Sequence, residues 1–293
     1  MLVENFRPGT MERIGYGWDA VHARWPRLVY AAASGFGHTG PLAPRPAFDL
    51  VVQAMGGIMS MTGHPGGPPA RVGVSIGDMV AGLYLAIGIQ AALTRRRDTG
   101  TATKVDVAMF DCQLALLENA LTTHLATGHV PGPLGTRHPN IAPFQAFAGA
   151  DGRRFVVCAG HDNLFRRFSD AIGRPDLPDD SRFLTADDRR TNADLLGAEI
   201  ESVLTTRPAA HWLDVLELAG IPVAPINTVA DAVRHPQAKA RDMIVEVDDP
   251  NIGTLYVAGN PVKLADVPEQ PTRRPPPPLD GDRQAILDWL KPR

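Results

Sequence analysis

Cysteine is scarce in this sequence, which has only Cys112 and Cys158 among its 293 residues. Each lies in an apolar segment and neither belongs to a CxxC pair, which argues against a disulfide framework or a thiolate metal site. The nine histidines form no HExxH motif, so a zinc hydrolase is not expected. A GxSxG motif is also missing, which leaves a serine hydrolase unsupported. We therefore expect no metal site.

Excess charge and long apolar runs are missing as well. The formal net charge is −3, so no strong field draws the chain to nucleic acid or to an anionic membrane. Residues 1–8 lack the basic-then-apolar layout of a signal peptide. The most apolar window is 79–93, which is shorter than the roughly 20 residues needed to cross a bilayer. We expect a soluble, cytoplasmic protein without nucleic-acid or membrane partners.

Composition and hydrophobic pattern predict an α/β fold. The sequence is 44% hydrophobic and 21% charged, as in ordinary globular proteins, and its length allows a substantial core. The patterns predict strands at 27–33 and 104–109, and helices at 50–61, 79–97 and 110–127. The first helix is predicted to run through Gly56 and Gly57. The second follows the turn-rich segment 63–69 and is predicted to be buried.

A change of composition divides the chain into domains. Residues 129–143 are rich in Pro and Gly, which is typical of a linker. We assign 1–128 to the first part of a large domain and 144–227 to a smaller α+β domain. Residues 228–293 are predicted to return to the large domain and to form the C-terminal tail.

The loop from Gly35 to Gly40 matches GxGxxG and follows a predicted strand. This motif binds a dinucleotide where its last glycine opens a helix whose N–H groups hold the pyrophosphate. Here prolines follow at positions 41, 44 and 46, and prolines so placed prevent most of a helix. A nicotinamide dinucleotide site is therefore disfavoured.

Asp78 is the most informative single residue. It ends a glycine-containing turn at 74–78 and opens the apolar helix. A carboxylate there is poorly solvated and lies at the partly positive end of a helix, an environment that can make it a nucleophile. The alternative is a helix N-cap, which spacing alone favours. Asp49 also lies in a turn context, and spacing leaves open whether the two acids share a pocket.

Polar and aromatic side chains gather near one turn at the N-terminus. Asn5, Phe6 and Arg7 precede a Pro-Gly turn, and Arg13 follows it. Such a set can stack a purine and pair with phosphates. An ordinary surface loop explains the same residues, and is favoured when they are taken alone.

Together these segments resemble the family III CoA-transferases, which include formyl-CoA transferase, carnitine CoA-transferase and, as a related branch, α-methylacyl-CoA racemase. The similarity covers nearly the whole chain in the family's order, and its motifs are specific in combination. The matching stretches are 2–9 (Leu-Val-Glu-Asn-Phe-Arg-Pro-Gly), 26–30 (Pro-Arg-Leu-Val-Tyr), 34–41 (Ser-Gly-Phe-Gly-His-Thr-Gly-Pro), 48–50 (Phe-Asp-Leu), 56–57 (Gly-Gly), 77–78 (Gly-Asp), 104–109 (Lys-Val-Asp-Val-Ala-Met), 137–143 (Arg-His-Pro-Asn-Ile-Ala-Pro) and 220–227 (Gly-Ile-Pro-Val-Ala-Pro-Ile-Asn).

The resemblance implies an activity and a site. The resemblance implies that the chain moves CoA from an acyl-CoA thioester to a carboxylic acid. Asp78 would be the nucleophile, and the reaction would pass through mixed-anhydride and aspartyl-CoA thioester intermediates. Coenzyme A thioester is then a substrate, no cofactor is bound permanently, and the chain forms an interlocked homodimer. The residues implied to contact CoA are Asn5, Phe6, Arg13 and Ile14 at the nucleotide, Phe48 and Asp49 at the thioester, and Arg45 at a phosphate.

The resemblance also implies a Rossmann-like large domain with a smaller α+β domain. Family members carry a further N-terminal segment with the first strands and part of the CoA site, so the large domain is expected to be incomplete there, and an inactive fragment is one alternative. The other is a 2-methylacyl-CoA racemase. That branch has His immediately before the position of Asp49, where this chain has Phe48, so a transferase is favoured. Formyl-CoA transferase has a glycine-rich lid at the region of 135–143, which this chain lacks, so formyl and oxalyl substrates are not assigned.

Overall fold

A computed structural model describes residues 1–268 and 272–291 of the chain. These residues form two compact units. The first unit combines Met1–Ala146 with Val157–Ile200, and the second combines Phe147–Val156 with Glu201–Arg293. The domain boundaries expected from composition stay a prediction.

In the first unit helices connect successive strands, and the second unit also contains both strands and helices. The strands of the described residues are β1 (Leu2–Glu4), β2 (Tyr30–Ser34), β3 (Lys104–Ala108), β4 (Phe144–Ala148), β5 (Arg154–Cys158), β6 (Val223–Pro225), β7 (Ile244–Asp249), β8 (Gly253–Ala258) and β9 (Thr272–Arg273). The helices are α1 (Thr10–Arg13), α2 (Trp18–Arg24), α3 (Asp49–Met55), α4 (Ile58–Met61), α5 (Ile76–Thr99), α6 (Met109–Leu116), α7 (Glu118–Thr127), α8 (Asp162–Ala171), α9 (Ala186–Thr191), α10 (Ala193–Leu204), α11 (Ala209–Leu218), α12 (Val229–Arg234), α13 (Pro236–Ala240) and α14 (Arg283–Trp289), with a short 3-10 helix at Leu177–Asp179.

A parallel sheet with strand order β1-β2-β3 organises the first unit. Successive side chains of a strand point to opposite faces, and in β2 Tyr30 and Ala32 pack against Val21 of α2. Ala31 faces the other way and packs against Leu85 and Ile89 of α5. Helices therefore cover both faces, as parallel strands joined by helical crossovers require. The predicted α/β fold is confirmed.

Helix α5 is the longest element of the first unit and carries Asp78. It begins after Ser75 and ends at Gly100, whose φ of 75° is a left-handed conformation suited to glycine. Arginines 96 and 97 lie in its last turn, where the helix dipole favours positive charge. The sequence prediction of a helix here is confirmed, but it starts earlier than expected, at Ile76.

The expectation that α5 is buried is correct for one face only. One face, with Ala81, Leu85 and Ile89, is buried against the sheet. Met79 and Leu83 on the remaining surface are 59% and 64% exposed. The helix spans 24 residues and is long and apolar enough, by length and composition alone, to cross a membrane. The apolar window 79–93 lies within this longer helix, and a helix that packs on the core of a protein passes the same test.

The helix predicted at 50–61 is interrupted. It divides into α3 and α4 at the glycine pair, where Gly57 adopts a φ of 88°. This left-handed conformation cannot belong to a right-handed helix, and glycine adopts it without steric cost. The continuous helix expected from hydrophobicity is therefore wrong at Gly57, because backbone freedom outweighs the apolar pattern.

Two further three-stranded sheets have the orders β4-β5-β6 and β8-β7-β9. In the latter, β7 pairs antiparallel with β8 and parallel with β9. Within the first unit, Arg189 is 1% exposed and is satisfied by its neighbours rather than by water. Its guanidinium donates to the carbonyl oxygens of Ala142, Phe183 and Gly160 and to a carboxylate oxygen of Asp162. A buried charge with this many partners ties several segments together.

Candidate functional site

The first unit contains a cavity of about 790 Å³ at the carboxyl ends of its parallel strands. Val3 and Glu4 come from β1, Ala33 and Ser34 from β2, and Met109 follows β3. Ligands of open α/β sheets bind at this edge, where the loops that follow the strands converge. The cavity is therefore the place in this unit where the fold itself predicts a ligand.

Asp78 lies in the wall of this cavity. It is the third residue of α5, whereas Ser75 occupies the N-cap position and makes no side-chain hydrogen bond there. The N-cap expectation for Asp78 is therefore wrong, because the helix already begins at Ile76. Within residues 1–268 and 272–291, the Asp78 carboxylate forms no hydrogen bond or ion pair. It is exposed and available to a ligand in the cavity.

The buried Asp49 carboxylate stabilises the first turn of α5. One of its carboxylate oxygens accepts the N–H of Gly77 at 2.9 Å, and the other accepts Gln53 Nε2 at 2.7 Å. Gln53 Oε1 in turn accepts the N–H of Val72 at 2.9 Å. A Cβ at position 77 would lie 2.8 Å from Val52 Cγ2, so glycine permits this approach. These buried bonds fix the turn that presents Asp78.

The electrostatic surroundings raise the pKa of Asp78 above its ordinary value. Desolvation by the surrounding protein is the larger cause, and the negative charge of Asp49 is the second. Both disfavour the ionised form of Asp78. The helix N-terminus acts in the opposite sense because its partial positive charge favours a carboxylate. A carboxylate with a raised pKa is more basic than a free one.

Four of the residues expected to contact CoA line the same cavity as Asp78. These are Asn5, Phe6, Arg45 and Phe48. The two rings are 53% and 81% exposed, so they are available for stacking or apolar contact. The Arg45 guanidinium lies 5.9 Å from the centre of the Phe36 ring. The structure therefore gathers aromatic, amide and cationic groups around one carboxylate.

Three of the expected contact residues lie elsewhere. Arg13 ends α1 and donates to Thr10 Oγ1 at 2.9 Å, and Ile14 is 59% exposed. Neither belongs to the cavity lining. Asp49 is buried, and its carboxylate is bonded to Gly77 and Gln53 instead of facing the cavity. The contacts of these residues with CoA stay predictions.

Among the polar residues of the lining, sequence reasoning missed two, Ser34 and Glu4. Ser34 ends β2, is 8% exposed, and its hydroxyl has no hydrogen-bond partner within the described residues. Glu4 ends β1 and is 6% exposed. Their positions at the ends of strands indicate that they line a site, but this signal requires that β1 is first recognised as a strand. With three residues, β1 is too short to show alternation.

The loop at Gly35–Gly40 lies beside the cavity and is bent, without a helix. The prediction that its prolines prevent a helix is confirmed. Gly37 adopts a φ of 80°, a conformation that glycine tolerates best. The helix start that a dinucleotide pyrophosphate needs is thus missing from this loop.

Comparison with known proteins places the chain among transferases. The sequence matches the model of CoA-transferase family III over residues 1–283. It is 46% identical over 288 residues to an acetyl-CoA:oxalate CoA-transferase of Acetobacter aceti, covering 98% of this chain and 72% of that protein. It is 36% identical over 272 residues to a succinyl-CoA–D-citramalate CoA-transferase of Chloroflexus aurantiacus, covering 92% and 67%.

A solved structure shows the same likeness. A CAIB/BAIF family protein from Brucella suis superposes with a TM-score of 0.82 at 37% identity, covering 99% of this chain and 75% of that one. The chain therefore spans about two thirds to three quarters of the length of these proteins. The fold predicted from the resemblance is confirmed by this likeness.

Proposed function

Because the chain belongs to CoA-transferase family III, we propose that it moves coenzyme A from an acyl-CoA to a free carboxylic acid through covalent intermediates on Asp78. The observation that carries the proposal is the unpartnered Asp78 carboxylate in the wall of the strand-end cavity. Its raised pKa makes the ionised carboxylate a stronger nucleophile than a free one.

In the first half of the proposed reaction, an Asp78 oxygen attacks the thioester carbonyl of the donor. The carbon–sulfur bond breaks, and a mixed anhydride and the CoA thiolate result. The thiolate then attacks the Asp78 carbonyl of the anhydride, which releases the donor acid as a carboxylate. Asp78 is left as an aspartyl-CoA thioester.

The second half reverses these steps with another acid. The acceptor carboxylate attacks the aspartyl thioester, forming a second mixed anhydride and the CoA thiolate. The thiolate attacks the acceptor carbonyl, so that the acceptor leaves as its CoA thioester and the Asp78 carboxylate is restored. Each intermediate keeps an activated carbonyl, which divides one difficult exchange into easier steps.

Chemical trapping tests the nucleophile. The protein is incubated with acyl-CoA and then with hydroxylamine or borohydride, and its peptides are analysed by mass spectrometry. We expect hydroxylamine to convert Asp78 to a hydroxamate and borohydride to reduce it to an alcohol. Asp78→Asn should give neither product and should not transfer CoA.

Asp111→Asn is the matched control, because Asp111 is also an exposed aspartate in the first turn of a helix and lies outside the cavity lining. This variant should react and be trapped as the wild type is. Unmodified Asp78 in a wild-type protein that demonstrably transfers CoA would overturn the mechanism. Deuterium entering the α-carbon of a 2-methylacyl-CoA would instead indicate the racemase.

For coenzyme A we propose contacts with the lining residues Asn5, Phe6, Arg45 and Phe48. The exposed rings of Phe6 and Phe48 suit the adenine and the pantetheine arm, and Arg45 suits a phosphate. Arg7 lines the same cavity and is a second cation, available to a carboxylate of the acceptor. Contacts of Arg13, Ile14 and Asp49 remain part of the proposal by resemblance alone.

For the acceptor we propose a small dicarboxylic acid. Relatives are named as transferases for oxalate, D-citramalate and mesaconate, all of which carry two carboxyl groups. One carboxylate would attack Asp78 while the other pairs with a cation of the cavity. Initial rates with acetyl-CoA or succinyl-CoA and a panel of mono- and dicarboxylic acids test this. Equal rates with acetate and with every dicarboxylate would refute it.

We also propose that the chain forms a homodimer. Apolar side chains of α5 on the surface away from the sheet support this, since Leu83 and Ile87 are each 64% exposed. Contiguous exposed apolar surface commonly marks a protein–protein contact. Light scattering coupled to size exclusion should give twice the chain mass of 31.5 kDa. A single-chain mass at high protein concentration would refute the dimer.

A further inference from the structure

A line of polar contacts leads from β3 to the rim of the cavity. Lys104 Nζ lies 3.0 Å from His38 Nδ1. His38 Nε2 lies 3.5 Å from Glu4 Oε1. Glu4 Oε2 accepts the N–H of Phe6 at 2.8 Å. Phe6 is one of the aromatic residues that line the cavity.

The chemistry of these groups fixes the direction of the contacts. A lysine ammonium carries donors only, so Lys104 donates and His38 Nδ1 accepts. In neutral histidine the other ring nitrogen then carries the hydrogen. Nε2 therefore presents an N–H to the Glu4 carboxylate. The backbone N–H of His38 donates to Asp106 Oδ2 at 3.0 Å, which holds the residue in place.

The contact between His38 and Glu4 is buried. The two side chains are 9% and 3% exposed. Neither His38 Nε2 nor Glu4 Oε1 has a hydrogen-bond partner within the described residues. At 3.5 Å the contact is longer than an ordinary hydrogen bond, yet attraction between buried groups is weakened little by water. The Tyr30 hydroxyl is also close to Glu4. Burial is the largest cause of the raised pKa of Tyr30, and the charge of Glu4 is the second.

We propose that His38 is a positioning residue for coenzyme A binding. Through its Nε2–H it orients the Glu4 carboxylate, and Glu4 holds the Phe6 backbone so that the Asn5–Arg7 segment keeps its place at the cavity. Lys104 selects the required tautomer. The relation to coenzyme A rests on the proposed function, whereas the coupling of His38 to the Phe6 backbone does not.

Two variants test this coupling. His38→Ala removes the donor to Glu4. His38→Gln keeps an oxygen that can accept from Lys104 and an N–H that can donate to Glu4. His161→Ala is the control, since His161 is an exposed histidine outside the cavity lining.

The first readout is hydrogen exchange at the Phe6 amide of the full chain, and the second is the Kd for free coenzyme A with the KM and kcat for acyl-CoA. We expect His38→Ala to speed exchange and raise Kd and KM by roughly threefold to tenfold with kcat little changed, as the loss of one buried polar contact implies. His38→Gln should restore most of both, and His161→Ala should change neither.

Unchanged Phe6 exchange in His38→Ala overturns the inference, as does a Gln variant as impaired as the Ala variant. A fall in kcat alone with an unchanged KM also contradicts it. If the wild type neither binds coenzyme A nor transfers it, the proposed function fails. The exchange measurement then still decides whether His38 controls the Phe6 backbone.

Discussion

Replacing Asp49 by Asn tests the buried network behind Asp78 most sharply. The carboxylate accepts two hydrogen bonds, from Gly77 N–H and Gln53 Nε2, and an amide has one oxygen to offer. If the new amide oxygen accepts from Gly77, its NH₂ group meets the NH₂ group of Gln53. If the Gln53 amide instead rotates to accept from the new asparagine, its NH₂ group turns toward the N–H of Val72. In the wild type that N–H donates to Gln53 Oε1. One pair of donors faces each other in every arrangement.

The magnitude follows from this count. One charge-assisted bond is lost and one buried donor is left unsatisfied, which together cost on the order of 2 kcal/mol. Such a loss corresponds to a roughly 30-fold larger opening equilibrium. Hydrogen exchange of the segment between Val72 and Asp78 should therefore accelerate by about that factor, and urea unfolding should show a lower free energy of unfolding. We expect kcat to fall by roughly tenfold to a hundredfold because Asp78 is displaced.

The same substitution also changes the pH dependence of activity. Asp49 is one of two causes that raise the pKa of Asp78, and asparagine carries no charge. The acid limb of kcat/KM, which reports ionisation of the nucleophile, should therefore move to lower pH in Asp49→Asn. A limb that moves to higher pH would contradict the assignment of this limb to Asp78.

A double variant separates hydrogen bonding from charge. When Asp49→Asn is combined with Gln53→Glu, the new glutamate can accept both from the NH₂ group of the new asparagine and from Val72 N–H. The oxygen of the new asparagine then accepts from Gly77 N–H. We expect the double variant to regain at least half of the lost stability, measured as a coupling energy in a double-mutant cycle. Full stability of Asp49→Asn alone, or a coupling energy near zero, would refute the account of the network.

Asp78→Asn should raise Tm at pH values above the raised pKa of Asp78, because folding disfavours its charge. The gain should shrink as pH falls and vanish below 3.8, where the wild type is protonated in both the folded and the unfolded state. A lower Tm at neutral pH would contradict this. Ser34→Ala removes a buried hydroxyl of the lining and should raise the KM for acyl-CoA by about threefold to tenfold at unchanged Tm; an unchanged KM would count against a ligand contact. Arg189→Met leaves three carbonyl oxygens without their donor and should lower the free energy of unfolding by about 3 kcal/mol in urea, whereas a loss under about 1 kcal/mol would disagree.

The sequence predicted the helix that carries Asp78 but placed its start too late. Ser75 and Asp78 stand in the [ST]-x-x-[DE] spacing of a helix N-terminus, and this signal was available. Gly77 concealed it, because glycine is a poor helix residue. The structure shows why glycine is there, since any side chain at this position would collide with Val52. A packing constraint from another helix thus outweighed local propensity.

The partnership of Asp49 and Asp78 was open at the level of sequence. The sequence puts both acids in turn contexts, whereas the structure puts them in the first turns of α3 and α5. Only the fold shows that the Asp49 carboxylate bonds the residue before Asp78. Bonds between residues 28 positions apart depend on how helices cross and leave no periodic signal. The exposed face of α5 was unpredictable for a related reason. A helix that is apolar all round gives no moment from which its buried side can be read.

The residues that line the cavity lie partly on a packed helix and partly on loops. Asp78 stands on α5, a helix held to the sheet by Leu85 and Ile89. Phe6 and Arg45 stand on loops, which accept substitution more readily than packed helices do. Substitutions in these loops can thus change which ligands the cavity accepts while the Asp78 carboxylate stays where it is. For laboratory evolution of CoA transfer, this division identifies which positions to randomise and which to leave alone.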